Sequence, residues 1–193
     1  MQLRYLLPLL LLATACSAHT LTTIKTDIVP FIPEGSRSGE INVTSTSYIP
    51  SEAGQAISLN LGDTLKVLEE ARIKIRVRLE NTGSVPNDVS VMARIAPVSD
   101  STNIFDGGSN TDCRTNDCLL GQGSLTLPSG SNNAGVIEIE VPLTPTEKPS
   151  ALELIKSGQF RIGLRLQMNG SLRYGLEQGE LTVQARLFQL LNR

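Results

Sequence analysis

The chain has no tryptophan, and its other aromatic residues are four Phe and three Tyr. Bases of single-stranded nucleic acid and flat apolar sugar faces are held by stacking on rings, so this scarcity argues against both classes of ligand. Charge argues the same way for nucleic acid: 17 basic residues stand against 19 acidic ones, where a phosphate footprint needs a strongly basic face. Histidine is nearly absent. The one present, His19, lies so near the amino terminus that a Ser-His-Asp or Cys-His arrangement would require the first segment to fold back into a site. Gly-x-Ser-x-Gly, Ser-x-x-Lys and the Gly-Lys pair of a phosphate loop are all missing. Glu138 and Glu140 are paired carboxylates, but strand alternation puts them side by side on one face, as solvated partners for cations rather than as acid and base. No catalytic residues, no cofactor and no enzymatic activity are expected.

Cysteine is also sparse, at three residues, and their placement is informative. Cys16 follows Leu6-Leu7-Pro8-Leu9-Leu10-Leu11-Leu12-Ala13-Thr14-Ala15. With Arg4 ahead of it, this apolar run ending in small residues has the form of an export signal, and it is shorter than the span of about 20 residues that crosses a bilayer. No other segment is apolar enough to span. The run resembles the signal of bacterial lipoproteins, in which a lipobox of Leu and two small residues precedes the Cys that becomes the acylated amino terminus. Here Ala13 stands where Leu is usual and Leu12 lies one place earlier. The resemblance implies three acyl chains on Cys16, more than the two signals that stable anchoring needs. It also removes an unpaired thiol, since Cys113 and Cys118 lie close together and an odd cysteine in an oxidising compartment calls for capping. In a Gram-negative cell, Ser17 after the Cys resembles a lipoprotein destined for the outer membrane. The alternative is plain secretion, because Ala13-Thr14-Ala15 also satisfies an Ala-x-Ala cleavage site. Removing residues 1–15 leaves 178 of 193 residues; loss of Arg4 leaves 16 basic residues against 19, a formal charge of −3.

Residues 16–38 read as a lipidated tether and entry arm, rich in Thr with Pro30 and Pro33, yet Ile24, Ile28, Phe31 and Ile32 are apolar enough for part of it to pack as a first strand. From residue 39 to 193 the dominant pattern has period two. Arg72-Ile73-Lys74-Ile75-Arg76-Val77-Arg78-Leu79 alternates cations with apolar residues, and Val89 to Ile95, Val136 to Val141, Phe160 to Met168 and Leu181 to Leu187 repeat the alternation. Such strands have one wet face, which excludes a mostly parallel sheet. Seven or more of them, separated by turn signals and without βαβ spacing, indicate an all-β antiparallel sandwich of the immunoglobulin-like kind. One short connecting helix is expected near 151–157, opened by a capping box at Ser150 and Glu153, closed by Gly158, and burying Leu152, Leu154 and Ile155.

Two features are candidate contacts. The cationic face Arg72, Lys74, Arg76 and Arg78 could meet an anionic headgroup or polymer, but Glu138 and Glu140 have the spacing to neutralise it if their strands are neighbours. The segment from Asp100 to Cys118 is long for a sandwich loop, and such loops are usually functional or disordered. A Cys113–Cys118 bridge, expected from compartment and proximity, would pin it. Asp106, Asn110, Asp112, Arg114 and Asp117 are then its candidate binding residues, with resistance to proteolysis as the alternative role. Zinc lacks ligands there. Calcium has hard oxygens in Asp106, Asn110 and Asp112 but not the spacing of a helix-loop-helix site, so no metal is expected. The sequence therefore reads as a non-enzymatic, envelope-anchored lipoprotein that binds or braces another envelope protein. The alternative is a lipoprotein that captures a small molecule, an ion or an anionic polymer.

Overall fold

A computed structural model describes residues 21–42, 45–100, 103–108, 110, 112–114, 116–130 and 134–186. The expected signal, Cys16, Ser17 and His19 lie outside them.

Among the described residues, alternation builds ten strands: β1 (Thr22–Asp27), β2 (Ser38–Ile41), β3 (Ser45–Ile49), β4 (Gln55–Ser58), β5 (Leu68–Asn81), β6 (Asn87–Ala96), β7 (Cys118–Leu127), β8 (Ala134–Leu143), β9 (Gln159–Met168) and β10 (Leu172–Ala185). All pairings are antiparallel. Sheet A runs β1-β10-β5-β8, with β2 continuing along the β1 side of β10; sheet B runs β3-β9-β6-β7, with β4 continuing along the β3 side of β9. Apart from these two interrupted edge strands and the β6–β7 link, successive strands alternate between the sheets. The chain is thus an all-β antiparallel sandwich, and within that class its strand order is that of a double Greek-key jelly roll rather than of an immunoglobulin domain.

The period-two pattern explains the core. Ile73, Ile75, Val77 and Leu79 of β5 face Val89, Val91, Ala93 and Ile95 of β6 within one continuous buried cluster. Along the β7–β8 flank the sheets close tightly, because a Cβ on Gly123 would lie 2.7 Å from Ile137 Cγ2. At one end of the sandwich, buried Asn81 donates to the carbonyls of Val85 and Pro128, and buried Asn87 donates to that of Ser171, so the turns there are tied together.

The folded unit begins earlier than residue 39. β1 pairs with β10 along its whole length, and Ile28 and Ile32 drop into the core from the turns that follow, so residues 22–38 belong to the sandwich. The helix, α1 (Pro149–Lys156), is present and buries Leu152, Leu154 and Ile155 as expected, with Gly158 at φ +76° closing it. Its start differs from the capping-box reading. Pro149 takes the first helical position and Lys148 the cap, which puts Ser150 inside the first turn, and no side chain caps the end. Glu153 pairs instead with Lys156 at 2.8 Å.

Candidate functional site

The link between β6 and β7 does not project from the end of the sandwich. Ile104 and Phe105, an apolar pair in an otherwise polar stretch, fold back onto the outer face of sheet B and form a second small core with Ala96 and Tyr48. The Phe105 and Tyr48 rings lie 5.0 Å apart in a tilted arrangement. Two glycines leave room for them. A Cβ on Gly163 of β9 would stand 3.0 Å from both Ile104 Cδ1 and Phe105 Cζ, and one on Gly54 would stand 2.5 Å from Ile104 Cδ1. Gly54 also has φ +65°, a conformation that other residues adopt only with strain. The Ile104 amide then donates to the Glu52 carbonyl at 2.9 Å, binding the loop to the β3–β4 connection.

Beside this cluster lies a buried ion pair. Arg94 occupies an outward position on β6 and is only 2% exposed because the loop covers it; its Nε meets the carboxylate of Asp117, which is 0% exposed. Each partner holds backbone as well. Arg94 Nη1 donates to the Gly108 carbonyl at 2.8 Å, Asp117 Oδ1 accepts from the Gly107 amide at 2.9 Å, and the Asp117 carbonyl accepts from Asn110 Nδ2 at 3.0 Å. Burial pushes the Asp117 carboxyl above the usual carboxylate range, against the pull of the Arg94 charge and the Gly107 amide. The pair is therefore a lock on the loop, strong only while both members are present.

The Cys113–Cys118 disulfide closes the last turn, with Cα atoms 5.0 Å apart and both residues buried. Ser150 Oγ of α1 lies 3.5 Å from Cys113 Sγ, which brings the helix entry against the loop. Within the turn, Arg114 Nε and Nη2 each donate to Asp112 at 2.8 Å, and this guanidinium holds the Asp112 carboxyl down at about 2.

Of the candidate loop residues, Asp106 and Arg114 are exposed, Asn110 and Asp112 are half-buried and committed to bonds inside the loop, and Asp117 is interior. Asp117 thus braces the loop and is not presented to a partner. The cationic face lies on the outside of sheet A, next to the acidic strand. Lys74 lies opposite Glu140 and Arg76 opposite Glu138 in the β5–β8 register. Arg72 reaches Glu140 at 2.7 Å, Lys74 reaches Glu138 at 3.0 Å, and Arg76 reaches Glu177 of β10 at 3.0 Å. Arg78 is exposed, and it alone of the four has no carboxylate within reach among the described residues.

Sequence reasoning missed Arg94, Ile104 and Phe105. Their signals were a charge between the outward Met92 and Ala96, and an apolar pair inside a polar loop. It also gave no weight to the space they frame. Between the disulfide turn and the entry to α1, a groove of about 590 Å³ is lined by Met92, Arg94, Asn110, Leu119, Gln122 and Lys148, among others. Farther along the same face, a second depression of about 600 Å³ is lined by Asp88, Ser90, Ser124, Thr126, Gln167 and Asn169, among others. Among the described residues no helix is long and apolar enough to cross a membrane.

No protein-family model matches the chain, and no curated protein matches it. Among solved structures it is similar to that of the infectious bursal disease virus Gx strain, at TM-score 0.43 and 8% identity over 88% of this chain and 34% of that one. The Gt strain of the same virus gives TM-score 0.41 and 4% identity over 88% and 33%. The CBM22-1–GH10 modules of Clostridium thermocellum xylanase 10B give TM-score 0.33 and 11% identity over 84% and 24%. The chain spans about a third, or less, of the length of these structures. None of these likenesses bears on what the protein binds.

Proposed function

We propose that this protein is a lipid-anchored, non-enzymatic binding module of the cell envelope, which docks another envelope protein against the loop laid over the outer face of sheet B. The anchor rests on the signal and Cys16. The observation that carries the binding role is the way the β6–β7 loop is held. Ordering a long segment costs about 1–2 kcal/mol of backbone entropy per residue. Here a small second core, a buried ion pair and a disulfide all offset that cost. A connection between two neighbouring strands needs only a few residues. A long one tethered at several described points, with Asp106, Arg114 and Asn116 left at the surface, fits a presented contact surface.

The test is chemical crosslinking on intact cells that make the tagged protein, followed by mass spectrometry of what copurifies, beside a Cys16→Ala control and metabolic labelling with an alkyne fatty acid. The expected result is label on the wild type alone, and one stoichiometric partner linked through residues 100–122 and lost with the anchor. Recovery of uncomplexed protein under mild conditions would overturn the docking role and favour the ligand-binding reading, to which the grooves on sheet B give a place.

A further inference from the structure

The strands of sheet B carry Arg94, Arg161 and Arg165 against one carboxylate, Asp88. Asp88 is already occupied: its Oδ1 accepts from the Thr126 hydroxyl at 2.6 Å, and Oδ2 lies 3.4 Å from Asn169 Nδ2. Arg94 is locked to Asp117, and Arg161 donates to the Ala53 carbonyl at 3.0 Å. Arg165 is different. Its guanidinium makes no hydrogen bond or ion pair among the described residues; its Nε, like that of Arg161, is enclosed without a hydrogen-bond partner. The residue is only half-buried, so its charge is hydrated in the free protein and available to an incoming anion.

Its position is set by strand register. Arg165 is paired with Met92 of β6 and Tyr48 of β3, one outward pair beyond Gly163, over which the loop lies. It therefore stands beside the covered end of sheet B and lines neither depression itself: its register partner Met92 lines one, and Gln167, the next outward residue of β9, lines the other. Only Nε is enclosed, so the terminal nitrogens are the part of the guanidinium open to a ligand. Around it the two depressions offer hydroxyls and amides suited to a peptide backbone, together with Lys148 and the carboxylates Asp88 and Glu147, which confine an acidic side chain to the Arg165 end. Tyr48, its neighbour on β3, packs its ring against Phe105.

We infer that the outer face of sheet B, centred on Arg165, receives an extended acidic peptide segment of the envelope partner, one of whose carboxylates neutralises the Arg165 guanidinium. This rests on the binding role proposed above and names the chemistry of the contact. Carboxylates suit a guanidinium because they can take two parallel hydrogen bonds from it.

The test uses the full chain in nonionic detergent and a short fluorescein-labelled oligoglutamate, followed by anisotropy, with oligoserine and oligogalacturonate as comparisons. The expected result is oligoglutamate binding that weakens with salt, falls about tenfold in Arg165→Gln, and is unchanged in Arg78→Gln, which removes the unpaired guanidinium of sheet A. A second variant, Ser124→Glu, adds a carboxylate to an exposed floor position and abolishes binding without disturbing the core. Equal losses in Arg165→Gln and Arg78→Gln, no binding of oligoglutamate, or binding of oligogalacturonate in its place would each overturn the inference. If the partner still crosslinks through the loop in cells while oligoglutamate ignores Arg165, the binding module stands and the acidic-peptide groove falls.

Discussion

The two outer faces of the sandwich treat charge in opposite ways. On sheet A, cations and carboxylates alternate along neighbouring strands and neutralise one another in the open: Lys25 with Glu180, Arg72 with Glu140, Lys74 with Glu138, Arg173 with Glu80. On sheet B, charges are few and a loop covers half of the face. One arginine is buried against an aspartate from that loop and another is left without a partner. Solvent screening makes each surface pair on sheet A worth about 0–1 kcal/mol, so that face tolerates the loss of any one pair and leaves Arg78 hydrated at the surface. Sheet B concentrates its interactions in a small dry region, where a single deletion leaves a charge stranded. Sheet A pairs all of its cationic row but the exposed Arg78, whereas sheet B sets an unpaired guanidinium beside a loop held down on the sheet, and it is this second arrangement to which the proposed partner is assigned.

The comparison can be broken by mutation. Asp117→Ala strands Arg94 and should destabilise by about 3–5 kcal/mol, read by urea unfolding and by loss of hydrogen-exchange protection in residues 103–118. Replacing Arg94 and Asp117 together with Met and Leu should recover part of that loss, because no buried charge then remains. Phe105→Ala empties the second core and should cost about 3 kcal/mol, with the Tyr48 ring signals shifting by NMR while the β5–β8 ladder signals stay in place. Opening the disulfide with Cys113→Ser and Cys118→Ser removes the constraint of a short ring, about 2 kcal/mol in the chain-entropy model. Glu140→Gln on sheet A should cost about 1 kcal/mol or less, and that cost should vanish at high salt.

The smallest expected effect is one of pH. Arg114 holds the Asp112 carboxyl at about 2, below its ordinary 3.8. The folded state therefore favours the ionised form, so the contribution is full above the ordinary value and is lost as pH falls from about 4 towards about 2. Both residues are near the surface, so the change should be confined to the amide signals of residues 112–114 in an acid titration. A uniform response across the sandwich would show that the turn is coupled to the whole fold.

Much of sheet A was legible in the sequence. Four cations at every second position of one strand give its wet face, and two glutamates at the same spacing in another make that strand a candidate neighbour, which the β5–β8 pairing bears out. The loop on sheet B was only half legible. Its length and its two cysteines marked it, and the bridge is there, but its seat is made by Gly54, Ala96 and Gly163, which three different segments contribute. No local pattern announces that convergence. Arg94 reads as any outward strand charge until the loop covers it. The helix boundary was misplaced for a local reason: Ser150 and Glu153 fit a capping box, but Pro149 suits the first helical position and starts the helix earlier.

The most direct test of the asymmetry between the faces is photocrosslinking in intact cells, with a photoreactive residue placed singly at Arg114 on the loop, Ser124 on the sheet B floor and Thr182 on sheet A. The account predicts one adduct of the same added mass from Arg114 and Ser124 and none from Thr182. An adduct from Thr182 with the sheet B positions silent would contradict it, since the ion-paired ladder would then be the face that binds.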